Sequence, residues 1–409
     1  MFKRFIIIGA VLGTGLSLSA DAQTSTTNYN GQVNTITTAV PFLRISPDAR
    51  SGAMGDAGIA ISPDANAQYW NVGKLPFATK NYGVALTYTP WLKDLVPDIF
   101  LAYISGYAKF GKEGSAQAIS ASLRYFSLGD INYVDVNANP TGTGKPREFS
   151  LDLGYSRQLS PYLGVGVSLR YIHSAIATGI SGSQGADYKP GNAAAGDVGI
   201  YYSKTREINE FKKNTFNWGL TLTNLGSKIA YSSVRKDFIP INLGLGAAYT
   251  AQFDEYNKVT FALDINKLLV PTPLDSSTTG TPKYYYPDKT VVSGILGSFG
   301  DAPGGGSEEF KEINWSAGLE YWYQDQFAVR AGYFYEDKTK GDRKYFTVGI
   351  GARYNVFTLN ASYLVPSGSG INRNPLSNTL RFTLSFDFDK INSSAGSSSD
   401  EGSNTTSGQ

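Results

Sequence analysis

The sequence predicts an all-β protein: a transmembrane antiparallel β-barrel of about fourteen strands, with an N-terminal segment plugging its lumen. Three observations point there. From Tyr82 onward, segments of roughly ten residues alternate apolar with polar or small side chains, the length and pattern a tilted membrane strand needs. The charged residues of these segments keep to one phase. The gaps between segments alternate short and long.

Composition fits that reading. Among 409 residues there are 27 Tyr, 22 Phe and 45 Gly, with a slightly negative mean hydropathy of −0.21, which suits alternating strands better than apolar helices. A formal net charge of +2 gives no nucleic-acid footprint. With no cysteine, disulfides, thiolate metal sites and a cysteine-linked lipid anchor are excluded. Beyond the N-terminus no apolar run reaches the roughly 18 residues of a membrane helix, which argues against an inner-membrane protein.

Met1 to Ala22 reads as a secretory signal: Lys3 and Arg4, the apolar run Phe5–Leu18, then Ala20-Asp21-Ala22 as the cleavage site. It directs the chain to export and, with the barrel, to the bacterial outer membrane. Residues 23–41, rich in Thr and Asn, are expected to be a loose lead-in.

Residues 42–77 follow neither pattern. Ser46-Pro47-Asp48 and Ser62-Pro63-Asp64 are helix-start or turn signals. Gly52, Gly55 and Gly58 recur every third residue among Ala53, Ala57 and Ala60, so this backbone can lie close against another backbone or a wall. A barrel of fourteen strands leaves a lumen wider than its own side chains fill, and a small-residue segment ahead of the first strand is placed to enter and block it. The alternative is a lid packed across the barrel mouth.

Strands are expected at 82–88, 99–110, 116–126, 149–156, 163–172, 193–203, 216–224, 242–252, 258–269, 310–322, 327–334, 345–354, 356–365 and 379–388, within a barrel domain of 78–390. Arg124, Asp152, Arg170, Asp264, Glu320, Arg330, Arg353 and Arg381 all share the polar phase. The other phase suits lipid, where a mid-bilayer charge costs about 2–4 kcal/mol. Segment 99–110 is apolar on both phases and its faces stay unassigned. Gap 204–215 is the one soft exception to the alternation of short turns and long loops. The Ser/Gly-rich stretch 391–409 is expected to be a disordered tail.

Little reads as chemistry. His173 is the only histidine, and Ser174 beside it would face the opposite side of a strand, so no hydrolase triad forms and a rim or loop histidine is the expectation. Gly142-Thr143-Gly144-Lys145 has Pro146 where a phosphate loop needs Ser or Thr. Gly304–Gly306 is a flexible loop. Asp288, Asp301, Glu308 and Glu309 lack the close spacing of a calcium loop. No catalytic residue, cofactor or metal is expected. Apolar clusters at Trp91, Leu92, Leu95 and Val96 and at Ile295, Leu296 and Phe299 are unusual in loops facing water, and imply contact with a partner or with the barrel rim.

Gly52-Ala-Met54-Gly55-Asp56-Ala-Gly58, followed by Asp64 and by Gln68-Tyr69-Trp70-Asn71, resembles the N-terminal hatch of the long-chain fatty-acid transporter (FadL-like) superfamily of outer-membrane barrels. Val72 and Gly73 depart from its usual Asn-Pro-Ala-Gly. The run Phe42–Arg50 resembles more closely one branch, PorV (LptO) of the type IX secretion system of Bacteroidetes. The likeness covers about 40–388. It implies a non-enzymatic shuttle that associates with the SprA/Sov translocon barrel, receives cargo through its C-terminal signal domain and delivers it to an attachment complex containing the PorU sortase, in contact with outer-membrane lipid. The rival expectation is a FadL-like channel taking up hydrophobic small molecules.

Overall fold

The computed structural model describes residues 34–91, 98–112, 114–134, 137, 139–176, 189–232, 235–275, 284–285, 287–365 and 379–389. The signal segment, the tail, and Leu92, Leu95 and Val96 lie outside the described residues.

Fourteen strands form one closed antiparallel barrel. They are β1 (Tyr82–Pro90), β2 (Ile99–Phe110), β3 (Gln117–Leu128), β4 (Arg147–Gln158), β5 (Leu163–Ala175), β6 (Gly191–Glu207) and β7 (Lys213–Gly226). The ring continues with β8 (Asn242–Gln252), β9 (Asn257–Leu268), β10 (Ile313–Tyr323), β11 (Phe327–Tyr335), β12 (Lys344–Tyr354), β13 (Phe357–Val365) and β14 (Leu380–Phe388). Each pairs with its neighbours in sequence, and β1 closes on β14 through Val84 opposite Phe386. Closure leaves no strand edge unpaired, which a bilayer demands.

The alternation decides the two surfaces. In β4, Ser150, Asp152 and Ser156 are buried toward the lumen while Leu151, Leu153 and Tyr155 face outward. Leu169, on the outward phase of β5, is 75 % exposed, as a lipid-facing side chain is when lipid is not counted. β2 receives its faces here: Leu101, Tyr103, Ser105 and Tyr107 point inward and Ile104 outward. Both phases are apolar because its inner face meets apolar residues of the N-terminal segment rather than water.

Most expected boundaries shift by one to four residues, and two of the shifts matter. Gap 204–215 shrinks to the turn 208–212, because β6 and β7 extend past their apolar stretches through Lys204–Glu207 and Lys213–Thr215, so the soft exception disappears. The strand expected from 310 begins at Ile313, and Gly306–Lys311 is a short helix with Glu308 and Glu309 in its first turn, where carboxylates favour helix. Gly142–Gly144 belong to a small hairpin with Ile131–Val134 in the 129–146 loop. The chain ends of the barrel, Tyr82 and Phe388, share one rim with the short turns. The long connections share the other, which is therefore the extracellular rim.

Candidate functional site

Residues from Asn34 to Lys80 run inside the ring from the loop rim to the turn rim. Asn34 N–H donates to Thr339 O at 2.9 Å in the 336–343 loop. At the opposite end, Lys80 Nζ meets Asp389 at 2.8 Å. Between them the segment bonds to wall positions at mid-strand, including Thr383 of β14, Thr347 of β12, Asp264 of β9 and Glu320 of β10. A lid resting only on the mouth would not reach those positions. The expectation of a loose lead-in fails from Asn34 onward, since Ile36 and Val40 are buried in an apolar cluster with Phe42, Leu43, Phe126 and Ile172. Isolated among Thr and Asn, those two side chains carry no periodic signal.

The small residues are explained by the wall. Gly55 has φ +68°, and a Cβ there would fall 2.5 Å from the Tyr333 backbone nitrogen. The wall supplies matching glycines: Gly318 and Gly332 face Met54 and Gly55, and Gly244 and Gly246 face Ile59. Gly199 and Gly219 stand against Asn71. A stripe of glycine on the lumen phase is thus the imprint of the segment that lies on it. Gly52 packs on the Arg381 side chain and Gly58 on the Trp70 ring.

Polar anchors fix this backbone. Asp48 accepts from Ser51 N–H at 2.8 Å, capping the helical turn Ala49–Gly52, and from Trp70 Nε1 at 2.6 Å. Asp264 accepts from Gly58 N–H at 2.7 Å and Ile59 N–H at 2.8 Å. Arg50 makes a two-pronged pair with Glu320, both distances 2.9 Å, and reaches Asp64 at 3.1 Å. Glu320 also receives Arg330 at 2.7 Å. Asp56 accepts from Tyr345 OH at 2.6 Å. The Tyr69 ring lies under the Arg124 guanidinium, and Asn71 Nδ2 donates to Ile200 O at 2.9 Å.

Lys74 is 1 % exposed, and its Nζ donates to Gly58 O at 2.7 Å. Arg50 and Lys74 were not among the residues expected to matter; a basic residue in an otherwise small and apolar stretch was the available signal.

Cavities lie along the segment. On the loop side is one of about 570 Å³, lined by Phe42, Leu43, Ile45, Trp91 and Phe126 together with Arg44, Arg343 and Arg381. On the turn side is a polar one of about 380 Å³, bordered by Arg50, Asp64, Lys258, Arg353 and Asp387.

The loop residues divide. Trp91 meets Phe126 edge to face and packs, like Ile295, against the mouth cluster, so both serve the rim. Leu296 and Phe299 are 71 % and 54 % exposed. With Val292 they form the outward side of the helix Val291–Gly297 and its exit, while Gly294 on the other side abuts Phe238. His173 lies on β5 near the loop rim, its Nδ1 2.8 Å from Asn192 Oδ1 and its ring against Phe149. Ser174 faces inward to Glu148. Among the described residues, no cluster of His, Asp or Glu could hold a metal ion.

A closed fourteen-strand barrel, lipid-facing outside and with its own N-terminal segment running down the lumen, defines an outer-membrane β-barrel protein with an occupied lumen. The family described as "Type IX secretion system protein PorV" matches residues 28–275, more than half of the chain, and the chain belongs to that family. It is an outer-membrane component of type IX secretion. No curated protein sequence matches it. Solved structures similar to it include the Pseudomonas putida toluene transporter TodX, at 13 % identity over 84 % of this chain and 99 % of that one, TM-score 0.45. The Ralstonia pickettii toluene transporter TbuX has 10 % identity over 83 % and 98 %, TM-score 0.43. A Pseudomonas aeruginosa FadL homologue has 10 % identity over 87 % and 100 %, TM-score 0.42.

Proposed function

We propose that the chain is a non-enzymatic shuttle of type IX secretion, which binds a SprA/Sov-like translocon barrel, takes cargo by its C-terminal signal domain and passes it to a PorU-like attachment complex. The observation that supports this most is the outward apolar side of helix Val291–Gly297. Val292, Leu296 and Phe299 stand exposed on the extracellular rim, where solvated loops do not normally carry such groups. A lumen filled by residues 34–80 acts as a plug, and leaves the lipid-facing wall and the outer loops as working surfaces.

The test is a mild-detergent pull-down of the tagged protein from its own outer membrane, with mass spectrometry of what accompanies it. The shuttle reading expects a very large barrel together with proteins sharing a C-terminal β-domain. Recovery of the barrel alone, carrying stoichiometric lipid, would discard that reading for the second one. The 570 Å³ loop-side cavity favours that second reading, uptake of hydrophobic small molecules past a movable hatch, because apolar rings line it.

A further inference from the structure

We infer that Asn34–Ile45 is a strap presented at the cell surface, clamping the extracellular segments 306–312 and 336–343 over the lumen and tying them to the hatch that continues from it. Both ends of the barrel lie at the turn rim, yet the chain ahead of β1 begins its described course at the opposite rim. Asn34 donates its backbone N–H to Thr339 O at 2.9 Å and its side-chain amide to Glu308 Oε1 at 3.3 Å. Ala39 N–H donates to Phe238 O at 3.0 Å. Farther down, Arg44 stands 3.6 Å from Glu336, which Arg343 grips through two hydrogen bonds of 2.7 Å each.

Glu308 also takes part in holding the loops to each other. Lys340 bridges Glu308 at 2.5 Å and Glu312 at 3.0 Å, and Lys267 bridges Glu309 at 2.9 Å and Glu312 at 2.6 Å. The strap therefore joins an ion-pair network that spans both loops, at a site largely shielded from solvent, where such pairs are screened little by salt. Burial alone would raise the pKa of Glu336, but the hydrogen bonds and charge of Arg343, and after them the charge of Arg44, hold it below the usual carboxylate range. Below this network, Arg124 donates to Phe42 O and Leu43 O at 3.3 and 3.1 Å, so the strap is fixed to the wall before it becomes the hatch. A partner that displaces the loops must pull on the strap, and the strap pulls on the hatch.

The native chain has no cysteine, so a single thiol reports its own position. Thr37 is exposed on the strap, and Asp254 is exposed in the 253–256 turn at the opposite rim. In intact cells a membrane-impermeant maleimide is expected to label Thr37→Cys, and to label Asp254→Cys only after the outer membrane is permeabilised. If Thr37→Cys reacts no better than Asp254→Cys in intact cells, the surface location is wrong. The clamp is read separately on purified protein. Replacing Asn34 by Ala and Arg44 by Met together should speed amide hydrogen exchange in 306–312 and 336–343 by about tenfold or more and leave mid-strand amides unchanged. Unchanged exchange in those loops would overturn the clamp.

Discussion

Gly332 of β11 lies directly against the backbone of Gly55, with no room between them for a side chain on either. Two glycines distant in sequence thus form one contact. Gly55→Val must adopt φ +68° with a branched side chain and also displace Tyr333, costs that together reach about 2–5 kcal/mol. Gly332→Val meets Met54 and Gly55 from the other side and should be equally harmful. Thermal unfolding and limited proteolysis of purified variants would check this. A protease-resistant hatch with unchanged melting in either variant would contradict the contact.

Glu320 is shared by Arg50 of the hatch and Arg330 of the wall. Glu320→Gln leaves the buried Arg330 without its counter-charge and Arg50 with Asp64 alone, and should destabilise the hatch by about 3–5 kcal/mol. Arg50→Met removes one cation and leaves Glu320 paired with Arg330, so its effect should be smaller. Denaturant titration of both variants gives the ranking. An equal loss would show that Arg50 is the only partner that matters.

Lys74 ties two parts of the hatch together, its Nζ donating to Gly58 O at 2.7 Å. Lys74→Met leaves that buried carbonyl without its side-chain donor and should destabilise the hatch by about 1–3 kcal/mol. Denaturant titration of the native protein and the variant at one pH gives the difference. Equal stability would remove Lys74 as an anchor.

Neighbouring loop residues should behave oppositely. Ile295 packs on the mouth cluster, so Ile295→Asp should loosen the segment 287–312 and raise its protease sensitivity. Leu296→Asp and Phe299→Asp alter exposed groups and should leave melting within about 0.5 kcal/mol of native while cargo export falls. Secretion assays at matched protein levels, alongside melting curves, separate the two classes. Full export by the Leu296/Phe299 double variant would remove that surface from the cargo path.

The strand count and the two faces of most strands could be read from the sequence, because a wall with lipid on one side and a polar lumen on the other imposes a two-residue period wherever it runs. Arg124, Asp152, Asp264 and Glu320 show that period, since a charge on the lipid phase is too costly to persist. The small-residue character of 42–77 was legible for the same local reason: close packing requires glycine and alanine whatever it packs against. Which wall residues it packs against was not. Gly55 against Gly332, Arg50 on Glu320 and Asn34 on Thr339 join positions hundreds of residues apart, and no local period records such pairs. The faces of β2 and the course of the strap also waited on the tertiary structure, because an apolar inner face and a buried Ile36 make sense only once the hatch occupies the lumen beside them.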